Sequence, residues 1–170
     1  SRINVIMPIG ISFFTFQNLS YLIDVYRQDV KAQKSIIKYA TYITFFPQLI
    51  AGPIVRYSSI EKQMKKRKST YTSFYNGISR FMRGFVKKII FANTLGRITD
   101  LAFSQLGYYK MGFLLSIFTI LCYSIQIYLD FWAYSDMAIG IGEIFGFTFP
   151  ENFNMPFVST SITEFWTRWH

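Results

Sequence analysis

The sequence has very few of the residues that usually carry catalysis or hold metal ions. Its 170 residues include one histidine and one cysteine. A single cysteine, Cys122, excludes an intrachain disulfide and a cysteine-based metal site, and its place inside an apolar run predicts a buried thiol. One histidine does not supply the usual set of metal ligands. We therefore predict no metal site.

Motifs for nucleotide binding and for common hydrolases are also missing. The sequence contains no phosphate-binding loop, no zinc-protease helix and no serine-hydrolase elbow. Gly140 and Gly142 resemble the start of a dinucleotide motif, but no predicted strand precedes them and no third glycine follows at the right place. We interpret these glycines as points of close helix approach. No residue pattern identifies a bound cofactor.

Charged residues are scarce, and they are unevenly spread. They make up 16% of the chain, against 51% hydrophobic and 20% aromatic residues, whereas soluble domains average about 25% charged. Residues 56–97 contain eleven Lys or Arg and one acid, and the rest contains seven basic residues and eight acids. Because apolar segments flank 56–97, the positive-inside rule favours a cytoplasmic or interfacial membrane region over a nucleic-acid surface. We expect the lipid bilayer as a partner and no nucleic acid.

Long apolar segments predict an all-α, multi-pass integral membrane protein. Residues 3–25 and 111–132 each match the length of about 20 residues that crosses a bilayer. Residues 138–149 are glycine-rich and only weakly apolar, so we expect a separate segment there.

Two further segments predict less regular membrane structure. Residues 39–55 are apolar but contain two prolines and a glycine, which predicts a broken or re-entrant helix with 47–53 as a candidate cavity lining. Residues 71–91 repeat apolar side chains at helical spacing among cations, which predicts an amphipathic helix lying in the interface. Its cations suit lipid headgroups, or alternatively an acidic partner or a charged acyl donor.

Two acids bracket an aromatic run at the end of the second predicted span. Asp130 and Asp136 lie near membrane depth, where acids are costly and either mark function or pair internally. Alternatively, both acids lie at the interface beside aromatic belt residues. We keep both acids as candidate site residues.

The chain closes with a polar, aromatic segment that carries its histidine. His170 could act as a base for a hydroxyl that attacks an activated acyl group. Arg168 or Asn154 could donate to the developing oxyanion, and Trp169 would help to shape and dry a pocket. Glu164 is a further candidate site residue. If this segment is helical, Glu164 and Arg168 stand four residues apart and pair only with each other.

Several motifs, in order along nearly the whole chain, resemble those of the membrane-bound O-acyltransferases. They are MPIGISFFTFQ at 7–17, YLIDVYR at 21–27, FFPQLIAGPI at 45–54, YLDFWAYSDMA at 128–138, PENFNMPF at 150–157 and EFWTRWH at 164–170. The chain is most similar to the bacterial branch that includes the alginate O-acetylation membrane protein and the D-alanyl transfer protein of teichoic acids. One departure is Thr167, where the family usually has a second arginine.

The resemblance implies an all-helical, multi-pass protein of the bacterial cytoplasmic membrane with a central tunnel. The acyl donor, acetyl-CoA or an acyl carrier protein, would enter from the cytoplasm. The acyl group, expected to be acetyl, would pass to hydroxyls of a cell-surface polysaccharide or to a periplasmic or extracellular partner acyltransferase.

The resemblance also implies two histidines. His170 matches the first, and the one usually held to be catalytic lies further on, with no counterpart in this chain. Together with the missing initial methionine, this predicts that residues 1–170 are a partial acyltransferase domain, inactive alone. A hypothesis from another class is a non-catalytic scaffold or transport subunit that serves a periplasmic acyltransferase and needs no second histidine.

Overall fold

The computed structural model describes residues 10–45, 55–105 and 112–169, whose regular secondary structure is entirely helical. In chain order the elements are α1 (Ile11–Tyr26), α2 (Ile36–Ile43), α3 (Tyr57–Lys66), α4 (Tyr71–Val86), a π-helical segment (Lys87–Ala92), α5 (Asn93–Gln105), α6 (Phe113–Ile144), a 3-10 turn (Pro156–Val158) and α7 (Ile162–Arg168). This confirms the all-α expectation. The predicted cavity lining at 47–53 and His170 lie outside the described residues.

Helices α1, α2 and α3 meet around a cluster of tyrosines. The ring of Tyr57 lies 4.9 Å from that of Tyr21 and 5.1 Å from that of Tyr42, centroid to centroid. Tyr42 and Tyr57 are almost fully buried. Their hydroxyls are nevertheless satisfied, because Tyr42 donates to the carbonyl of Val55 at 3.1 Å and the Gln33 amide donates to Tyr57 at 2.7 Å. Buried phenols with partners avoid the cost of an unpaired polar group.

The second group of helices begins at a capping box. The side chain of Thr70 accepts the backbone N–H of Ser73 at 3.1 Å, and the Ser73 hydroxyl accepts the N–H of Thr70 at 2.9 Å. This exchange satisfies two donors that a helix start leaves open. The backbone then stays helical through α4 and the π-helical segment into α5. The predicted helix at 71–91 is confirmed.

Helices α4 and α6 run antiparallel and touch at small residues. A Cβ added at Gly77 would lie 2.6 Å from the carbonyl oxygen of Gly140, and one added at Gly84 would lie 2.6 Å from that of Ala133. Gly77 and Gly84 are seven residues apart, as are Ala133 and Gly140. A seven-residue step is about two helical turns, so both contacts lie on one face of each helix. The interpretation of Gly140 as a point of close helix approach is confirmed. The same interpretation of Gly142 was wrong, because a Cβ there would meet the ring of Phe149, which follows α6.

Helix α6 differs from the sequence expectation in length. Residues 111–132 and 138–149 were expected to form separate segments, but one 32-residue helix, Phe113–Ile144, runs through both. Glycine weakens an isolated helix by about 1 kcal/mol. Here the close packing of Gly140 against Gly77, and of the Phe149 ring against the backbone at Gly142, stabilises the helix beyond its local propensity.

A glycine in the left-handed region ends α6. Gly146 has φ +76°, and its N–H bonds to the carbonyl of Glu143 at 3.0 Å. The N–H of Phe147 bonds to the carbonyl of Gly142 at 2.8 Å. This Schellman pattern closes the last turn and directs the chain back toward α4.

Among the described residues, α6 is the one helix long and apolar enough to cross a membrane. At 1.5 Å per residue its length is about 48 Å, more than the roughly 30 Å of a bilayer core. Only 11% of its most apolar stretch is buried. A core helix of a water-soluble protein buries such a surface, so this exposure favours apolar surroundings.

Along α4 and the start of the π-helical segment, several apolar side chains point outward and two cations point inward. Phe74, Ile78 and Phe85 are 41–46% exposed. The side chains of Arg80 and Lys87, which reach α6, are only 19% and 21% exposed. A surface helix of a water-soluble protein has the opposite arrangement. The outer face of α4 therefore suits lipid or further apolar helices.

We predict that Gly84→Ala loosens the contact between α4 and α6. The added methyl would lie 2.6 Å from a backbone oxygen and 2.9 Å from the backbone nitrogen of Met137, so the helices must separate, at about 1–3 kcal/mol. Thermal unfolding of the full-length protein in detergent measures this. The control is Gly96→Ala in α5, where the new methyl meets only the Gln126 side chain, 3.8 Å away. A melting temperature for Gly84→Ala at or above that of the control would contradict the prediction.

Candidate functional site

Arg80 of α4 joins three parts of the chain. Its Nε and Nη2 donate to Oδ1 of Asp136 on α6, at 3.1 and 3.0 Å. Its Nη1 donates to Oε1 of Glu151 at 2.7 Å, and Nη2 also donates to the other oxygen of that carboxylate. The planar fork of arginine suits such multiple contacts. One side chain thus ties α4, α6 and the segment after α6 together.

Lys87 supplies a second cation to the same acid. Its Nζ pairs with Oδ2 of Asp136 and lies 3.3 Å from the centroid of a Trp132 ring. The Asp136 side chain is 10% exposed. A lone carboxylate at this depth would be costly, and a cation over an aromatic face is favourable. Arg80 and Lys87 together compensate the charge of Asp136.

The next lysine also reaches α6. Lys88 pairs with Asp130 at 2.5 Å, and both side chains are about one third exposed. A second cavity of about 290 Å³ lies beside this pair, between α5 and α6. The π-helical segment, a feature often found at functional sites, therefore carries two consecutive lysines that serve two different acids.

A cavity of about 570 Å³ lies between α4, α6 and the segment after α6. Its charged lining consists of Arg80, Arg83, Lys87, Asp136 and Glu151. Its remaining lining consists of Trp132, Phe153, Asn154 and Met155. The volume falls within the roughly 300–1,000 Å³ of small-molecule sites, which combine apolar walls with a few polar groups.

An aromatic cluster on α6 holds the segment that leads to His170. The Tyr128 ring lies 5.8 Å from Phe153, 5.1 Å from Phe157 and 5.9 Å from Trp169. Phe153 and Trp169 also meet edge to face at 5.2 Å. Such pairs add about 0.5–1.5 kcal/mol each beyond burial. Trp169 is thereby fixed next to the cavity wall formed by Phe153.

Backbone hydrogen bonds complete this attachment. The N–H of Asn154 donates to the carbonyl of Arg168 at 2.9 Å, and Nη1 of Arg168 donates to the carbonyl of Asn154 at 3.3 Å. The Nε of Arg168 donates to Glu164 at 2.9 Å. The backbone N–H and hydroxyl of Thr160 also donate to Glu164, and these bonds, together with Arg168, lower the pKa of its carboxyl.

Comparison with known proteins identifies the family. Residues 11–170 match the membrane-bound O-acyltransferase family, MBOAT. The chain belongs to the membrane-bound O-acyltransferase family. This membership is consistent with the outward apolar faces of α4 and α6.

Relatives of known name belong to three kinds of acyltransferase. The chain is 47% identical to a probable alginate O-acetylase of Pseudomonas aeruginosa, over 98% of the chain and 32% of the relative. It is 35% identical to a peptidoglycan O-acetyltransferase of Helicobacter pylori, over 99% of the chain and 37% of that relative. It is 33% identical to a teichoic acid D-alanyltransferase of Bacillus subtilis, over 98% of the chain and 42% of that relative. The chain spans about a third of the length of the relatives it matches.

The structure brings only some of the candidate site residues together. Asp136 and Asn154 line the large cavity, and Asp130 lines the smaller one. Both acids pair with cations inside the chain, which is the internal pairing considered among the alternatives.

The residues of α7 play a different part. Glu164 and Arg168 pair with each other four residues apart, as expected if the segment is helical. Trp169 packs in the aromatic cluster. His170 follows Trp169 directly and lies outside the described residues.

Sequence reasoning missed the ion pairs that line the large cavity. It assigned the cations of 71–91 to lipid headgroups, or alternatively to an acidic partner or a charged acyl donor, and it gave Glu151 no role. Arg80, Lys87 and Glu151 all line the cavity. A usable signal was present: Arg80 and Lys87 are seven residues apart and alternate with Gly77 and Gly84, which marks the packed face of α4.

We predict that Arg80→Gln destabilises the domain by about 2–4 kcal/mol, because it leaves Glu151 unpaired and Asp136 with one cation. Denaturant or thermal unfolding of the full-length protein in detergent measures the change. Glu164→Gln is the control, since both partners of that pair are about one third exposed and belong to one helix, whereas the Asp136 side chain is 10% exposed, so a much smaller shift is expected. Equal shifts in the two variants would refute the bridging role.

Proposed function

We propose that the full-length protein is a membrane O-acyltransferase. In this proposal it passes an acetyl group from a cytoplasmic donor across the bacterial cytoplasmic membrane toward hydroxyls of a cell-surface polysaccharide. The observation that carries the proposal is the family match over residues 11–170, with 47% identity to a probable alginate O-acetylase. The acceptor is reached directly or through a periplasmic or extracellular partner acyltransferase.

The geometry supports this proposal through its distribution of polarity. The cavity has a charged wall, whereas the outer faces of α4 and α6 are apolar. Irregular backbone and ion pairs persist at membrane depth where they line a polar cavity. A donor thioester and a hydroxyl acceptor need such a polar path through an apolar medium.

The proposed chemistry is acyl transfer from a thioester, as in acetyl-CoA or an acyl-loaded carrier protein. The acceptor hydroxyl oxygen attacks the carbonyl carbon, and an imidazole takes its proton as the new C–O bond forms. The C–S bond then breaks, and the leaving thiolate receives the proton. His170 assists this step, and the second histidine that the family resemblance implies serves as the principal base.

Asn154 is the better oxyanion donor of the two proposed. The guanidinium of Arg168 is already bonded to Glu164 and to a backbone carbonyl. The side-chain amide of Asn154 has no partner among the described residues and lines the cavity. Its N–H groups are therefore available to a developing negative charge.

We expect His170→Ala to reduce acyl transfer by about 10²–10⁴-fold while the protein still inserts in the membrane, because a positioned acid or base contributes on that scale. Ester content of the surface polymer, measured in cells that lack the native copy, reads this out. The control is Lys34→Ala, at an exposed position of the connector between α1 and α2, which should leave acyl transfer unchanged. Unchanged transfer in His170→Ala would remove His170 from the mechanism.

We further expect the basic region at 56–97 to face the cytoplasm, as the positive-inside rule predicts. A cysteine at Lys62, an exposed position of α3, would be tested in a Cys122→Ala background. A membrane-impermeant maleimide should label it only after the cells are permeabilised. Labelling in intact cells would reverse the assigned orientation.

A further inference from the structure

The large cavity carries one more positive than negative charge. Three cations line it, Arg80, Arg83 and Lys87, against two acids, Asp136 and Glu151. All three cations lie within about two turns of the continuous helical backbone formed by α4 and the π-helical segment, where neighbouring like charges repel. An unbalanced site of this kind attracts anions.

The two acids are fully engaged by two of these cations. Both oxygens of Asp136 are taken by Arg80 and Lys87, and both oxygens of Glu151 are taken by Arg80. The side chain of Arg83 forms no ion pair or hydrogen bond within the described part of the chain. It is therefore the cation left to meet a ligand.

Arg83 lies beside apolar side chains, so it is costly to leave its charge without a counter-ion. Its neighbours on the outer face of α4, Met82 and Phe85, are 50% and 45% exposed apolar side chains. In a membrane-bound family these side chains face apolar surroundings. Arg83 is itself exposed, so its guanidinium relies on water or on an anion beside it, because a charge next to apolar surroundings is expensive to leave uncompensated.

The rest of the lining defines the kind of anion. Trp132, Phe153 and Met155 add an apolar wall to the same cavity. The planar guanidinium fork donates parallel hydrogen bonds, which suit the adjacent oxygens of a phosphate group. The volume of about 570 Å³ leaves room for an organic arm.

We propose that this cavity binds the phosphate of an organic phosphate ester, with Arg83 as its principal contact. The proposal deepens the proposed function and rests on it for the membrane setting. Two sources share this chemistry: a soluble acyl donor with a phosphorylated arm, and the headgroup of an anionic phospholipid. Arg83 is a binding residue here and takes no part in bond making.

Calorimetric titration of the full-length protein separates the two sources. The soluble probe is pantetheine 4′-phosphate, compared with pantetheine, in detergent without phospholipid. The lipid probe is phosphatidylglycerol, titrated into protein held in phosphatidylcholine nanodiscs. Wild type should bind at least one phosphate probe, bind pantetheine much more weakly, and lose affinity as salt rises.

Arg83→Gln should weaken binding of that probe about tenfold or more, the scale of one lost charge-assisted hydrogen bond. The affinity of Arg83→Lys for that probe should lie between those of Arg83→Gln and wild type, because lysine keeps the charge and loses the planar guanidinium fork. Arg27→Gln is the matched control, an exposed arginine outside this cavity. Loss confined to pantetheine 4′-phosphate assigns the site to a soluble donor, and loss confined to phosphatidylglycerol assigns it to lipid.

Three results would overturn the proposal. They are no binding of either phosphate probe by wild type, equal affinity of Arg83→Gln and wild type, and an equal loss in Arg27→Gln. These experiments measure ligand binding alone, so their outcome does not depend on acyl transfer. Absence of acyl transfer by the wild-type full-length protein would refute the proposed function and leave the Arg83 binding result standing.

Discussion

The close contact between α4 and α6 is the constraint on which the rest of the structure depends. Glycines at 77, 84 and 140 and Ala133 let the two backbones touch. At this separation the long side chains beside them have to lie along the contact, so Arg80 and Lys87 extend to the acid on the facing helix. Larger residues at the contact would separate the helices and leave Asp136 without its cations.

This contact also decides where polarity lies in the molecule. The small residues and the two paired cations, Arg80 and Lys87, lie on the face toward α6, and exposed apolar side chains such as Phe85 lie on the other face. The result is a charged cavity wall inside and an apolar surface outside. In water this arrangement would be unfavourable, whereas in a membrane-bound family it places each group in the surroundings that suit it.

The same ion pairs, with neighbouring contacts, also fix the position of the segment that follows α6. Arg80 holds Glu151, Asn152 donates to Ser135 on α6, and the rings around Tyr128 hold Trp169. The carboxylate, the amide and the rings act on successive parts of one segment. Through them, the position of the residue before His170 depends on the packing of α4, which is far from it in sequence.

Much of the secondary structure could be predicted from local patterns. The apolar periodicity of 71–91 and the four-residue spacing of Glu164 and Arg168 are properties of neighbouring residues, and the structure shows both. The break expected between 132 and 138 was wrong, because glycine propensity is a local quantity and the packing of Gly140 on Gly77 is not. Glu151 was missed for the same reason, since its partner lies 71 residues away.

The sequence by itself determined the helical class, the membrane-type composition and the family, because these depend on residue types and their order. Only the tertiary structure decided which cations neutralise which acids and which cation is left over. That choice depends on distances between residues remote in the chain: Arg80 and Lys87 reach Asp136 across the helix contact, and Arg83 pairs with no acid among the described residues.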